Sequence, residues 1–251
     1  MALKYHQDRL DIRALKENNI DRIQLAMIPP ASRVLEIGCA TGYMSEYLVR
    51  EQACSVLGVE AEAEQAQHAR ERGLEVLTGT TDDTRVQAAL DQNVATRGPF
   101  QVLFLSQVIE HMAWPEKTLV QLHRWLAPDG LVVVSTCNIA HWSCRLRLLA
   151  GRWEYSDYGI MDRDHLRFFT IASCRRLLEG CGYDVLDFGF SFEDFCPVKL
   201  LYGTRLLAPS DILRLIPLAG KPLRRGYLNL ARNLVATQFV FKAAPRPEPG
   251  P

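Results

Sequence analysis

Apolar and polar positions along the chain fall into short blocks that alternate in kind. From about Asp8 to Met27, apolar side chains at Leu10, Ile12, Leu15, Ile20, Ile23 and Met27 recur among charges at helical spacing, with a break near Asn18-Asn19. Pro29-Pro30 ends that helix, because proline lacks the N–H and its ring clashes with the preceding turn. Arg33 to Gly38 then reads as a buried strand running into a turn, and Tyr43 to Gln52 as a helix. Ser55–Glu60 and Glu75–Thr78 predict two further strands, with an Ala-, Glu- and Gln-rich helix over Ala61 to Arg72 between them. Phe100 to Ser106 is a continuous apolar run, as in a central parallel strand buried on both faces. Pro115 to Leu126 predicts a helix, Pro128-Asp129-Gly130 a turn, and Leu131 to Thr136 a fifth strand. Thr170 is a candidate N-cap for a helix over Ile171 to Gly180, and Tyr183–Phe190 and Val235–Lys242 predict the last two strands. Strand alternating with helix predicts an α/β protein with a parallel sheet covered on both faces.

Composition narrows this. The chain has 251 residues, of which 48% are apolar and 23% charged, enough apolar surface for a globular core. Basic and acidic residues number 29 each, so no global basic field points to nucleic acid. The balance is uneven locally: between Phe195 and Leu234, Lys199, Arg205, Arg214, Lys221, Arg224, Arg225 and Arg232 face one acid, Asp211, a net of +6. Seven cysteines, with no C-x-x-C and several in apolar runs, suit reduced, buried thiols. The first residues carry no apolar stretch of signal-peptide type, and the expected location is the cytoplasm. The organisation expected is an N-terminal helical cap (1–30), a core (31–194) with an insertion at 138–169, a basic helical insertion (195–234), a last core strand (235–242) and a disordered tail (243–251).

The first strand ends in Glu36-Ile-Gly38-Cys39-Ala40-Thr-Gly42. Glycines after strand one let a cofactor approach the backbone. The dinucleotide fingerprint would need glycines at 38, 40 and 43, where the chain has Gly38, Ala40 and Tyr43, so a dehydrogenase is disfavoured. Glu60 closes the second strand, where an acid can accept hydrogen bonds from two ribose hydroxyls.

This pattern resembles motif I of the class I S-adenosylmethionine (SAM)-dependent methyltransferases. The run Gly98 to Met112 is similar to the segment that these enzymes set against SAM, and Leu126-Ala-Pro-Asp-Gly130 followed by Leu-Val-Val-Val to their motif before strand five. The resemblance covers about residues 30–190. It implies a Rossmann-like, doubly wound, seven-stranded and mostly parallel sheet with an antiparallel last strand. It also implies SAM as cofactor, with Glu36 helping to hold the amino group, Gly38, Cys39, Ala40 and Gly42 backing the methionine part, and Glu60 with Ala61 at the ribose. Ser106 and Gln107 are expected at the end of strand four, and Asp82 near the adenine, although the acid expected there is shifted in this chain.

A hydroxyl acceptor needs its proton removed, and histidine is the commonest base. His111 follows strand four at the carboxyl edge, where open α/β sheets hold ligands, and Glu110 beside it can orient it. His165 is the second candidate, in a charged loop before Phe168-Phe169; His68 and His123 read as structural or solvated. The stretch from Asn138 to Thr170 is similar to a methyltransferase subgroup associated with bacterial polysaccharide, lipopolysaccharide or secondary-metabolite clusters. Asn138, Tyr155, Tyr158 and Arg167 are the expected substrate contacts there, and Trp142, Trp153, Tyr155 and Tyr158 either stack on a ring or pack the insertion. Glu110, His111 and His165 are candidates to converge, but spacing does not show convergence, and no metal is expected.

The activity expected is O-methylation of a hydroxyl on a glycan, lipid-linked sugar or related small metabolite. N-methylation of a small amine, or a non-catalytic SAM-binding module serving a partner enzyme, are the alternatives. The leucine- and arginine-rich stretch 198–234 suits either a helical cover packed on the sheet or peripheral contact with an anionic membrane.

Overall fold

The computed structural model describes residues 10–193 and 220–247. One seven-stranded sheet runs through it: β1 (Arg33–Ile37), β2 (Ser55–Glu60), β3 (Glu75–Thr78), β4 (Phe100–Ser106), β5 (Leu126–Cys137), β6 (Tyr183–Phe192) and β7 (Ala236–Pro245). The spatial order is β3-β2-β1-β4-β5-β7-β6. The first five strands are parallel, and β7 runs antiparallel to both β5 and β6. The strand order reverses beside β1, so the crevice between the carboxyl ends of β1 and β4 is the switch point where such sheets take ligands.

The helices are α1 (Ile20–Leu25), α2 (Tyr43–Gln52), α3 (Ala63–Glu71), α4 (Thr84–Arg97), α5 (Pro115–Leu122), α6 (Trp142–Leu149), α7 (Ile171–Gly180) and α8 (Gly220–Val235). Period-two alternation in the strands divides the core in two. Leu35, Ile37, Leu103 and Leu105 face α4, α5 and α7, while Val34, Val102 and Phe104 face α1 and α2. On the second face Glu36 and Ser106 continue the alternation of Val34 and Phe104, which puts two polar side chains under α1 and α2 at the carboxyl edge.

Several boundaries differ from the sequence expectation. The N-terminal helix shrinks to six residues, because Asn19 caps it by accepting from the Asp21 and Arg22 N–H groups. The turn at Pro128-Asp129-Gly130 is an outward bulge within β5: Phe100 pairs with Leu126, but Val102 already pairs with Leu131. Helix α4 was not expected; Asp83 caps its start by accepting from Arg85 N–H. The last strand begins at Ala236 and continues to Pro245, so residues 243–245 are ordered backbone paired with β6 rather than tail, and Arg246 bonds Asp184. Thr170 does cap α7, in a reciprocal pair with Ser173.

Residues 195–219 of the expected basic insertion lie outside the described residues. Its remainder is α8, with Leu228 buried and Arg232 lying over the Phe188 ring at 5.7 Å. Among the described residues no helix is long and apolar enough to cross a membrane.

Candidate cofactor and acceptor site

The turn after β1 is shaped by its glycines. Gly38 has φ +72°, and a Cβ there would lie 2.7 Å from Val108 Cγ2. Gly42 has φ +78°, and its Cβ would lie 2.4 Å from Leu74 Cδ1 and 3.0 Å from Ala69 Cβ. Gly42 therefore gives the close packing that Tyr43, as first residue of α2, cannot. Ala40 also sits in the left-handed region, at φ +49°, where a Cβ is disfavoured by about 1–2 kcal/mol.

Glu60 holds this turn. Its carboxylate accepts from the Ala40 N–H at 2.7 Å and the Glu62 N–H at 2.9 Å, while Gly38 N–H pairs with the Val59 carbonyl at 2.8 Å. A carboxylate has about four acceptor sites, so each oxygen keeps capacity for a ribose hydroxyl. Ala61 beyond it is exposed, and Cys39 is buried with its thiol turned toward Gly58. Glu36 is fully buried and accepts from the Ser45 hydroxyl; burial pushes its carboxyl up to about 8, against the Ser45 bond and with help from the negative charge of Glu60. A buried acid of this kind is suited to a ligand ammonium.

Other expected cofactor contacts are placed differently. Ser106 is buried and accepts from Gln24 Nε2 of α1 at 2.9 Å. Gln107, at φ +53°, turns its amide toward β5 and β7: Nε2 donates to Ser135 Oγ at 3.0 Å, and Oε1 accepts from Gln238 and the Cys137 thiol. Only its backbone is left to a cofactor. Asp82 is exposed and ion-paired with Lys117 at 3.3 Å, so the adenine expectation for it rests on position alone.

On the acceptor side, His111 is half-buried in a short 3-10 turn (Ile109–His111) after β4, with Nδ1 3.1 Å from the Asp164 carbonyl. His165 is buried behind it, its Nδ1 3.2 Å from the Ile160 carbonyl and its ring edge-on to His111 at 4.9 Å. The insertion is fastened here, since Leu166 and Arg167 N–H both donate to the Glu110 carbonyl. A row of rings continues outward from His165 to Phe168 at 6.1 Å and from Phe168 to Trp153 at 5.4 Å. Tyr155 and Tyr158 are 54% and 61% exposed on the same insertion. Arg167 donates to the Ala113 carbonyl and lies over Trp114.

One sequence expectation changes, and one open alternative is settled. Asn138 is wholly buried, its amide donating to the Ala236 and Asn233 carbonyls and accepting from Ala140 N–H, so it ties the loop after β5 to α8 and β7 instead of facing a substrate. Trp142 is buried and donates to the Glu193 carbonyl, which makes it packing. His123 stacks on Tyr183 and faces the Cys181 carbonyl, and His68 pairs with Glu71, so both are structural as expected. Of the three groups considered for convergence, Glu110 and His165 do approach each other, and Cys137 is the member that sequence reasoning missed. The buried Glu110 side chain, read as a partner for His111, instead has a carboxylate oxygen within 4.8 Å of a His165 ring nitrogen and the Cys137 thiol. Spacing gave no sign of it, because the three residues come from three separate segments.

The family model described as a methyltransferase domain matches residues 8–187. A ubiquinone biosynthesis O-methyltransferase of Xylella fastidiosa (strain M23) is 31% identical over 133 residues, 53% of each chain. One of Caulobacter sp. (strain K31) is 35% identical over 112 residues, 42% of this chain and 41% of that one. The chain thus matches only about half the length of these curated relatives. A SAM-dependent methyltransferase from Archaeoglobus fulgidus shares the fold at a TM-score of 0.56 and 16% identity, covering 88% of this chain and 90% of that one. The chain belongs to the methyltransferase domain family.

Proposed function

We propose that the protein methylates a hydroxyl of a glycan, lipid-linked sugar or related small ring metabolite. SAM supplies an electrophilic methyl on a sulfonium, so the protein's tasks are to hold the cofactor, align the acceptor and take its proton. Gly38, Ala40 and Gly42 present backbone, Glu60 accepts from the ribose, and Glu36 offers its carboxylate to the amino group. His111 takes the acceptor proton: with Nδ1–H donating to Asp164, the Nε2 lone pair is the basic one. His165 is buried, so its part is to back His111 rather than meet the acceptor. Trp153, Tyr155 and Tyr158 give the acceptor a ring to stack on.

The observation that carries this reading is a half-buried histidine with a fixed tautomer partner at the carboxyl edge beside the glycine turn. The relatives' printed name, an O-methyltransferase, favours a hydroxyl acceptor. The test is release of S-adenosylhomocysteine with matched panels of sugars, phenols and amines. Turnover with hydroxyl acceptors and none with amines is expected; turnover confined to amines would sink the proposal.

The proposal includes peripheral contact of 198–234 with anionic membrane. Its support is α8, where Leu230, 90% exposed, shares a face with the exposed Leu223 seven residues earlier, and Arg225 and Arg232 are exposed on the same helix. Pelleting with anionic but not neutral vesicles, weakened by salt, is expected; equal recovery in both supernatants would remove it.

A further inference from the structure

Beneath the proposed acceptor site, the 3-10 turn after β4, the end of β5 and the insertion meet at three buried side chains. Glu110 is 1% exposed, and the Thr136 side chain and the Cys137 backbone beside its carboxylate make no hydrogen bond of normal geometry with either oxygen. One of those oxygens, the Cys137 Sγ and a His165 ring nitrogen all lie within 4.8 Å of one another. Asp162, fully buried, adds its negative charge to the surroundings of both Glu110 and Cys137. Among the described residues no Lys or Arg pairs with Glu110. A buried carboxylate without a partner is costly, and a second acid beside it makes it more so. A cation at this point relieves both.

We propose that Glu110, Cys137 and His165 form a binding site for a divalent transition-metal ion of the zinc class. The donor set decides the class. Thiolate with imidazole selects zinc-like ions over magnesium or calcium, which take oxygen ligands. Bonds of about 2.0–2.3 Å put tetrahedral donors roughly 3.5 Å apart, so the three atoms close in by about an ångström on binding. On binding, the Cys137 thiol gives its proton to solvent and the thiolate bonds the metal, with no change of oxidation state. A water completes the fourth position.

The surroundings are those of a metal site. With His165 Nδ1–H donating to the Ile160 carbonyl, the ring's lone pair is on Nε2, the usual arrangement for a ligating histidine. Without metal the Cys137 thiol donates to Gln107 Oε1 at 3.3 Å, a bond given up when the thiol ionises, and the Gln107 amide is held independently by Ser135 and Gln238. This also accounts for Gln107 turning away from the cofactor. The site is separate from the proton-accepting role of His111, and it stands whether or not the acceptor is a hydroxyl.

The test is metal content and cobalt spectroscopy on the full chain. Protein loaded with Zn²⁺ and dialysed should retain one zinc per chain, and Co²⁺ exchanged in its place should give a thiolate-to-cobalt charge-transfer band. Cys137→Ser should abolish the band, and Glu110→Gln should lower the stoichiometry, both in protein that still binds SAM. Cys54→Ser, in the opposite layer of the core, should change nothing. Folded wild-type protein that retains no zinc and gives no cobalt–thiolate band overturns the proposal, as does a band that survives Cys137→Ser.

Discussion

At the proposed cofactor end of the sheet edge, the polar groups are already bonded to the protein. Glu60 spans Ala40 and Glu62, Glu36 holds Ser45, and Ser106 accepts from Gln24. At the acceptor end, Tyr155 and Tyr158 project into solvent from an insertion fastened at its base to Glu110. The first region binds what every member of the family binds, so its geometry is built into strand ends and left-handed turn residues. The second must recognise one acceptor, and exposed loop side chains on a fixed base can vary without disturbing the sheet.

The contrast is broken most sharply at its boundary, His111. His111→Ala should lower turnover by about 10²–10⁴-fold while SAM affinity stays within about twofold, measured by steady-state kinetics and calorimetry. A parallel fall in SAM affinity would mean that the two ends are not separable.

Next in size is the buried acid at the cofactor end. Below about pH 4.5, Glu36 is protonated in both folded and unfolded chains and contributes no pH dependence. As pH rises toward about 8, the unfolded chain loses that proton while the folded one keeps it, so stability falls by at most about 1.4 kcal/mol per unit, and it levels off above the folded value. Glu36→Gln should remove this slope. Denaturant unfolding of both proteins at about pH 5 and about pH 8 reads it directly, and identical slopes would show that Glu36 is ionised in the folded protein. The smallest effect is expected at Ala40→Gly, a gain of up to about 1 kcal/mol from relief of the left-handed backbone, less the added freedom of the unfolded chain. A melting temperature lowered by that change would mean that the Cβ packs usefully.

Legibility in the sequence follows the same division. The strands of the cofactor half were readable because each is an apolar run ended by a turn residue, and Gly38, Gly42 and Glu60 are local signals of backbone approach and ribose binding. Helix α4 was missed because only Val86 and Leu90 of its fourteen residues are buried, too few to set a period. The split of 8–27 was half visible: Asn18-Asn19 marked the break, but the sequence did not show that only the part after it is helical. Asn138 was read as a substrate contact because an Asn after strand five looks exposed; the carbonyls that take its amide belong to a segment nearly a hundred residues away. The meeting of Glu110 with His165 and Cys137 depends equally on long-range packing.

The central claim is that the glycine turn and Glu60 hold SAM, and calorimetric titration of SAM into wild-type and Glu60→Ala protein tests it most directly. Each hydrogen bond to a charged group contributes about 1.5–3 kcal/mol. The account predicts saturable binding to the wild type and at least a tenfold rise in Kd for the variant, about 1.4 kcal/mol, with the fold retained. Unchanged affinity in a folded Glu60→Ala protein would contradict it.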